Sequence, residues 1–201
     1  MYVLKGRVID GNGGAPIEKG IVEVTGNKIT AVCDERAYAL PYDAEVIEVK
    51  NGTIMPGFID QHVHMAVGDN YYKNFERHSY HAVCQALRDM RQILDAGFTS
   101  IREVGGLSNY LKAPWEEGLI YGPRICSAGK AIAQTGGHWD YNKDYPIEFT
   151  KNVDRNVNSE ICDGVDEVRR TSRMHFREHC DFLKIMGGPG ISCQGNKIFT
   201  R

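Results

Sequence analysis

The 201-residue sequence predicts an α/β protein: a β-rich stretch of about 50 residues, then the N-terminal half of a (β/α)8 TIM barrel. Three observations predict it. Short β-branched runs separated by glycine clusters fill the first stretch. From Phe58 onward strand-like and helix-like patterns alternate, which calls for parallel strands joined by right-handed crossover helices. A complete barrel takes about 250 residues, and the roughly 145 that follow the β-rich stretch suffice for strands 1 to 4. The expected division is 1–55 and 56–201.

In the first part Val3, Ile9, Ile21, Val22, Val24, Ile29, Ala31, Val32, Val46, Ile47 and Val49 fall in short runs. Gly26-Asn27, between Val22-Glu23-Val24 and Lys28-Ile29-Thr30-Ala31-Val32, marks a hairpin. In the second part Ser79 to Ala96 carries Val83, Leu87, Met90 and Leu94 at helical spacing, with Gly97 at the stop. Phe98 to Val104 is the next strand, Leu107 to Gly118 a weaker helix and Arg124 to Ala128 a third strand. Residues 129 to 162 carry few periodic signals, and loops of that length inside compact domains are usually functional. Asp163 to His179 reads as a helix with Asp163 as N-cap and Val165, Val168, Met174 and Phe176 as its buried side. Phe182 to Met186 is the fourth strand.

Composition narrows the function classes. Lys plus Arg number 24 against 26 Asp plus Glu, a net charge of −2, so nothing asks for a nucleic-acid partner. No apolar run reaches about 18 residues, and the start lacks the basic end and apolar run of a secretory signal. No membrane partner and a cytoplasmic location are the expectation. Cys33, Cys84, Cys126, Cys162, Cys180 and Cys193 show no C-x-x-C spacing and read as reduced thiols.

The most informative stretch is Thr53 to Met65, TIMPGFIDQHVHM. In an extended strand His62 and His64 project from the same face, and two imidazoles on one face make half a metal site. Spacing alone leaves a structural pair open. The setting favours metal, because the pair ends an apolar strand opened by a Pro-Gly turn, where α/β folds place their chemistry. Asp60 shares the face of His62 and could orient ligands. In DFLKIM, residues 181–186, alternation turns Phe182, Lys184 and Met186 inward if Leu183 and Ile185 face the helices. A buried, unpaired ammonium is costly, which leaves two readings: a lysine reaching water or a carboxylate, or an amine that has reacted with CO2. His78, His81, His175 and His179, on predicted helices or at their ends, read as solvated or structural.

The run PGFIDQHVH resembles the PGxxDxHxH signature of the metal-dependent amidohydrolase superfamily, carried at the end of the first barrel strand. DFLKIM is similar to the D-F-[IL]-K-[IV]-M strand of its prolidase-like and dipeptidase-like subgroup, which is related to imidazolonepropionase. Ser127-Ala128-Gly129-Lys130 with Gln134-Thr135-Gly136-Gly137-His138-Trp139-Asp140 resembles the segment after the third strand of that subgroup. Arg102-Glu103-Val104-Gly105-Gly106 resembles its R-D-x-G-G, with Glu for Asp, and a buried ion pair is the expected role.

This resemblance implies an enzyme with two divalent metal ions, zinc being the expected one, that share a bridging hydroxide. His62 and His64 would bind the more buried ion and Lys184, as a CO2-derived carbamate, would bridge the two. His138 would polarise the scissile carbonyl. The implied reaction is hydrolysis of an amide C–N bond in a dipeptide, Xaa-Pro included, or an N-acyl amino acid, by an enzyme that is a homo-oligomer at full length. In the family a small β-sandwich precedes the barrel and is completed by C-terminal strands, while later strands supply two more histidines and a general-base aspartate. The expectation is therefore the N-terminal portion of a hydrolase, with an incomplete sandwich and no activity alone; the alternative is a short non-catalytic fragment needing a complementary chain.

Overall fold

The computed structural model describes residues 1–66, 78–140, 146–148, 158–188 and 190; Cys193 and, within the signal-poor stretch 129–162, residues 141–145 and 149–157 lie outside them. The chain divides into two compact units, Met1–Gly57 and Phe58–Arg201.

The first unit holds β1 (Tyr2–Val8), β2 (Ile17–Thr25), β3 (Lys28–Asp34) and β4 (Glu45–Ile54) in one mixed sheet of order β3-β2-β1-β4. Even spacing puts Leu4 and Val8 of β1 and Val22 and Val24 of β2 on one face, where they pack with Ile17 and Ile54. The predicted hairpin forms: Thr25 pairs with Lys28 across Gly26-Asn27, and Gly26 takes φ +62 at the loop position where a side chain is disfavoured. The register then skips Thr30, whose hydroxyl donates to the Glu23 carboxylate at 2.5 Å.

The second unit is built on three parallel strands in the order β5 (Phe58–Val63), β6 (Phe98–Glu103) and β7 (Arg124–Ser127). Helix α1 (Ser79–Asp95) joins β5 to β6. Its deepest stripe is Ala82, Ala86 and Met90, packed with Met65, Ala66, Ile101, Leu107, Leu111 and Ile125. The expected Val83 and Leu87 sit half-buried at the margin, because the small alanines let the helix approach the sheet most closely along their own line. Met90 is fully buried, worth about 1.5–3 kcal/mol.

The weaker helix divides into a 3-10 turn, Ser108–Leu111, and the five-residue α2 (Lys112–Glu116). Pro114 explains the division: it is tolerated in a first turn, but its ring blocks an α-helix continuing from the preceding four residues. Two short strands occupy the signal-poor stretch, β8 (Ala131–Ala133) and β9 (Ser159–Ile161), paired in parallel. Three residues are too few to display a period of two.

The fourth predicted strand is reduced to a single parallel bridge between Ile132 and Ile185. Ile132 N–H donates to the Lys184 carbonyl at 2.8 Å and Met186 N–H to the Ile132 carbonyl at 2.9 Å. Asp181 sets where this segment starts. Its N–H donates to the Ser127 carbonyl, its carboxylate accepts from Ser127 N–H at 2.8 Å, and Lys112 Nζ lies 2.6 Å from the other oxygen.

Helix α3 (Gly164–Arg177) corrects the expected buried side at three of four residues: Val165 is 71% exposed, Met174 and Phe176 are also exposed, Val168 is half-buried, and Thr171 and His175 are the buried pair. These two, four apart, face β9, with Thr171 Oγ1 3.1 Å from Cys162 Sγ and His175 Nε2 3.8 Å from Glu160. Among the described residues no helix is long and apolar enough to cross a membrane.

Candidate metal centre

The end of β5 delivers the two histidines as alternation requires. His62 Nε2 and His64 Nε2 lie 3.2 Å apart, with ring planes at 79°. Asp60 Oδ1 accepts the His62 N–H at 2.9 Å, fixing the backbone from which that ring projects. His64 Nδ1 is 3.0 Å from the Gly105 carbonyl oxygen. A carbonyl only accepts, so Nδ1 carries the proton and the Nε2 lone pair faces His62. Burial pushes the His64 imidazole below its ordinary value, the Gly105 bond opposes this, and His62, Lys184 and His138 add to the depression. At neutral pH His64 is uncharged, the form that binds a cation.

This donor set fits a metal ion. Two nitrogens bound to one tetrahedral zinc at 2.0–2.1 Å are about 3.3 Å apart, close to the separation here. Among the described residues no third histidine, cysteine, aspartate or glutamate joins them. Lys184 and His138 each lower the His64 pKa through their charge, which puts both within electrostatic range of that ring.

His138 lies in the loop after β8, and that loop is fastened at both ends. Thr135 donates its N–H to Asp163 Oδ1 at 3.0 Å and its hydroxyl to Oδ2 at 2.5 Å. Asp163 holds the N-cap position of α3, but its carboxylate makes no cap bond there. Gly136 N–H donates to Asp140 Oδ2 at 2.7 Å, and Gly190 lies against the His138 ring.

Two residues shape this centre in ways the sequence does not disclose. Trp139 is 3% exposed, at φ +72, with its ring centroid 4.7 Å from His64 and 5.7 Å from His138. A left-handed backbone costs a side-chain-bearing residue about 1–2 kcal/mol, so the surroundings must hold it. A buried-type aromatic inside a glycine-rich loop was the available signal.

Glu103 is the other, and it replaces the expected ion pair with Arg102. Neighbours on a strand face opposite ways: Arg102 is exposed, donates to the Gln61 carbonyl at 2.7 Å and lies over the Phe182 ring. Glu103 is fully buried and accepts from Met65 N–H at 3.1 Å, Ser108 N–H at 2.9 Å and the Ser108 hydroxyl. One carboxylate thereby ties the residue after His64 to the turn after Gly105. Desolvation pushes its pKa above the ordinary 4.5, with the hydrogen bonds opposing.

Glu103→Ala should cost about 2–6 kcal/mol, because it strands two buried N–H groups at roughly 1–3 kcal/mol each. The raised folded pKa gives stability present below 4.5 and lost as pH rises through the folded value. Wild type should therefore lose part of its advantage over Glu103→Gln in urea unfolding as pH rises from below 4.5 toward neutrality. A Glu103→Ala penalty under about 0.5 kcal/mol would remove the carboxylate from this role.

A model described as the amidohydrolase family matches residues 53–198. The ochratoxinase of Aspergillus niger is 29% identical over 152 residues, 69% of this chain and 32% of its own length. A prolidase crystallised with N-methylphosphonate-L-proline is 34% identical with a TM-score of 0.86, over 98% of this chain and 49% of that one. A Xaa-Pro dipeptidase with methionine in its active site matches at TM-score 0.80 and 23% identity, over 98% and 50%, which speaks to fold alone. The chain thus spans about a third of the curated relative and about half of the solved ones.

Proposed function

This chain belongs to the amidohydrolase family, and from that premise we propose that it serves a metal-dependent hydrolase of amide C–N bonds whose substrate is a dipeptide, Xaa-Pro among them, or an N-acyl amino acid. The observation that carries the reading is the His62–His64 pair, with Nε2 atoms 3.2 Å apart and the second ring fixed by the Gly105 carbonyl. The substrate class is supported by the prolidase with its proline-bearing ligand. The strands of the second unit are read as the first half of a (β/α)8 barrel, and the first unit as part of a small β-sandwich.

In this reading His62 and His64 would hold one of two divalent ions, and Lys184 would supply a further ligand. As an ammonium, Lys184 would repel both cations. Its neutral amine adding to CO2, with loss of one proton, gives a carbamate whose charge has the right sign. Bound zinc would supply Lewis acidity and bring the pKa of water to about 7. His138, in the loop held by the Thr135–Asp163 and Gly136–Asp140 contacts, would donate a hydrogen bond to the scissile carbonyl oxygen as charge builds there. Asp60 keeps the His62 backbone in place. Neither nucleic acid nor membrane enters the proposal; a cytoplasmic homo-oligomer does. Coverage of about half of each solved relative favours a second reading, in which a complementary segment or chain supplies the remaining histidines and general base.

Metal content tests the proposal. Protein expressed from the complete reading frame in zinc-replete medium should carry about two equivalents of divalent metal, and His62→Ala with His64→Ala should lose at least one. Wild-type protein without bound metal by elemental analysis would end the metal-dependent reading.

A further inference from the structure

We propose that Trp139 is a positioning residue for the metal centre, setting the plane of the His64 ring and linking it to His138. The inference rests on the metal reading of His62 and His64. The hydrogen bond from His64 Nδ1 to the Gly105 carbonyl, 3.0 Å, fixes one atom of the ring and leaves the ring free to swing about it. The indole removes that freedom: it meets the imidazole edge to face at 67°, with centroids 4.7 Å apart. With both restraints the Nε2 lone pair stays directed at His62.

Gly105 makes the two restraints compatible. A Cβ there would fall on the Trp139 six-membered ring, and its φ of +145 suits glycine. One residue therefore gives a carbonyl to His64 and room to the indole. On the other side, the left-handed backbone of Trp139 turns its side chain inward, and Ser159 Oγ donates to the Trp139 carbonyl at 3.0 Å. Because His138 is its chain neighbour, with ring centroids 5.7 Å apart, a shift of the indole displaces the metal ligand and His138 together.

The test uses protein from the complete reading frame, Trp139→Leu and Trp139→Phe, with zinc affinity measured by competition against a chromophoric chelator. Trp139→Leu fills the space without an aromatic edge and should weaken zinc about 10- to 100-fold, as loss of an outer partner of a ligand does. Trp139→Phe restores the edge and should stay within about threefold of wild type. Cobalt loading should quench wild-type tryptophan emission, and Trp139→Phe should lose the cobalt-dependent part. A merely structural role would lower Tm while leaving the affinity of folded protein unchanged. Wild type that binds no zinc overturns the metal reading and this inference together. Wild type that binds zinc, with Trp139→Leu equal to it, Trp139→Phe as weak as Trp139→Leu, or no cobalt quenching, overturns the inference alone.

Discussion

Lys184→Ala is expected to lower amide hydrolysis by about 10³-fold or more, beyond the 10- to 100-fold that follows loss of an outer partner of a metal ligand. Lys184 sits where the backbone is pinned on both sides, by the Ile132 N–H on its own carbonyl and by the Met186 N–H on the Ile132 carbonyl. Its Nζ therefore works from a fixed base, and its positive field reaches His64. A group that depresses the His64 imidazole as a cation would attract metal ions once converted to an anion, so on the proposed carbamate deletion would remove a ligand and leave the two histidines short of a set. Formate or acetate at high concentration should restore part of the activity, because a small carboxylate can occupy the space of the lost carbamate. Density of metal-loaded protein showing an unmodified Lys184, or full activity in Lys184→Ala, would sink the idea.

The second large effect concerns the 201-residue chain expressed alone. Among the described residues β5 pairs only with β6, leaving its other edge free to template association. Ile185, 61% exposed, stands over an apolar hollow with Ile132, Val165, Val168 and Met186, and the first unit exposes Ile29, Val32, Val46 and Ile47. Surfaces of this kind are rarely tolerated by monomers. The chain should elute as oligomer, aggregate or chaperone complex and leave dipeptides uncleaved until a complementary fragment is added. A monomer unfolding cooperatively and cleaving a dipeptide with zinc would overturn this expectation and the assignment of site residues alike.

Local rules made part of this legible. His62 and His64 share a face because strand periodicity is two, and the Gly26-Asn27 hairpin follows from turn chemistry. What escaped depends on neighbours distant in the chain. Val165, Met174 and Phe176 belong to a stripe by hydropathy, yet α3 turns Thr171 and His175 inward, where Glu160 of β9 and Cys162 just after it meet them. Glu103 next to Arg102 invites an ion pair on paper, while alternation sends them to opposite faces and burial gives Glu103 backbone donors instead. Trp139 touches His64 across 75 positions of sequence, and no local pattern announces such a contact.

Asp163 is claimed by two structures at once. As N-cap of α3 it would satisfy an amide of the first helical turn, and Glu167 already performs the reciprocal half of such a cap by accepting the Asp163 N–H at 2.8 Å. The Asp163 carboxylate instead holds Thr135, three residues before His138. Helix end and loop therefore compete for one pair of oxygens. Releasing the loop frees the carboxylate to cap the helix, which offsets about 0.5–2 kcal/mol of the cost of release. The segment bearing His138 is thus fastened by a latch whose open position has its own reward, so fraying of α3 and displacement of His138 are opposing events rather than independent ones.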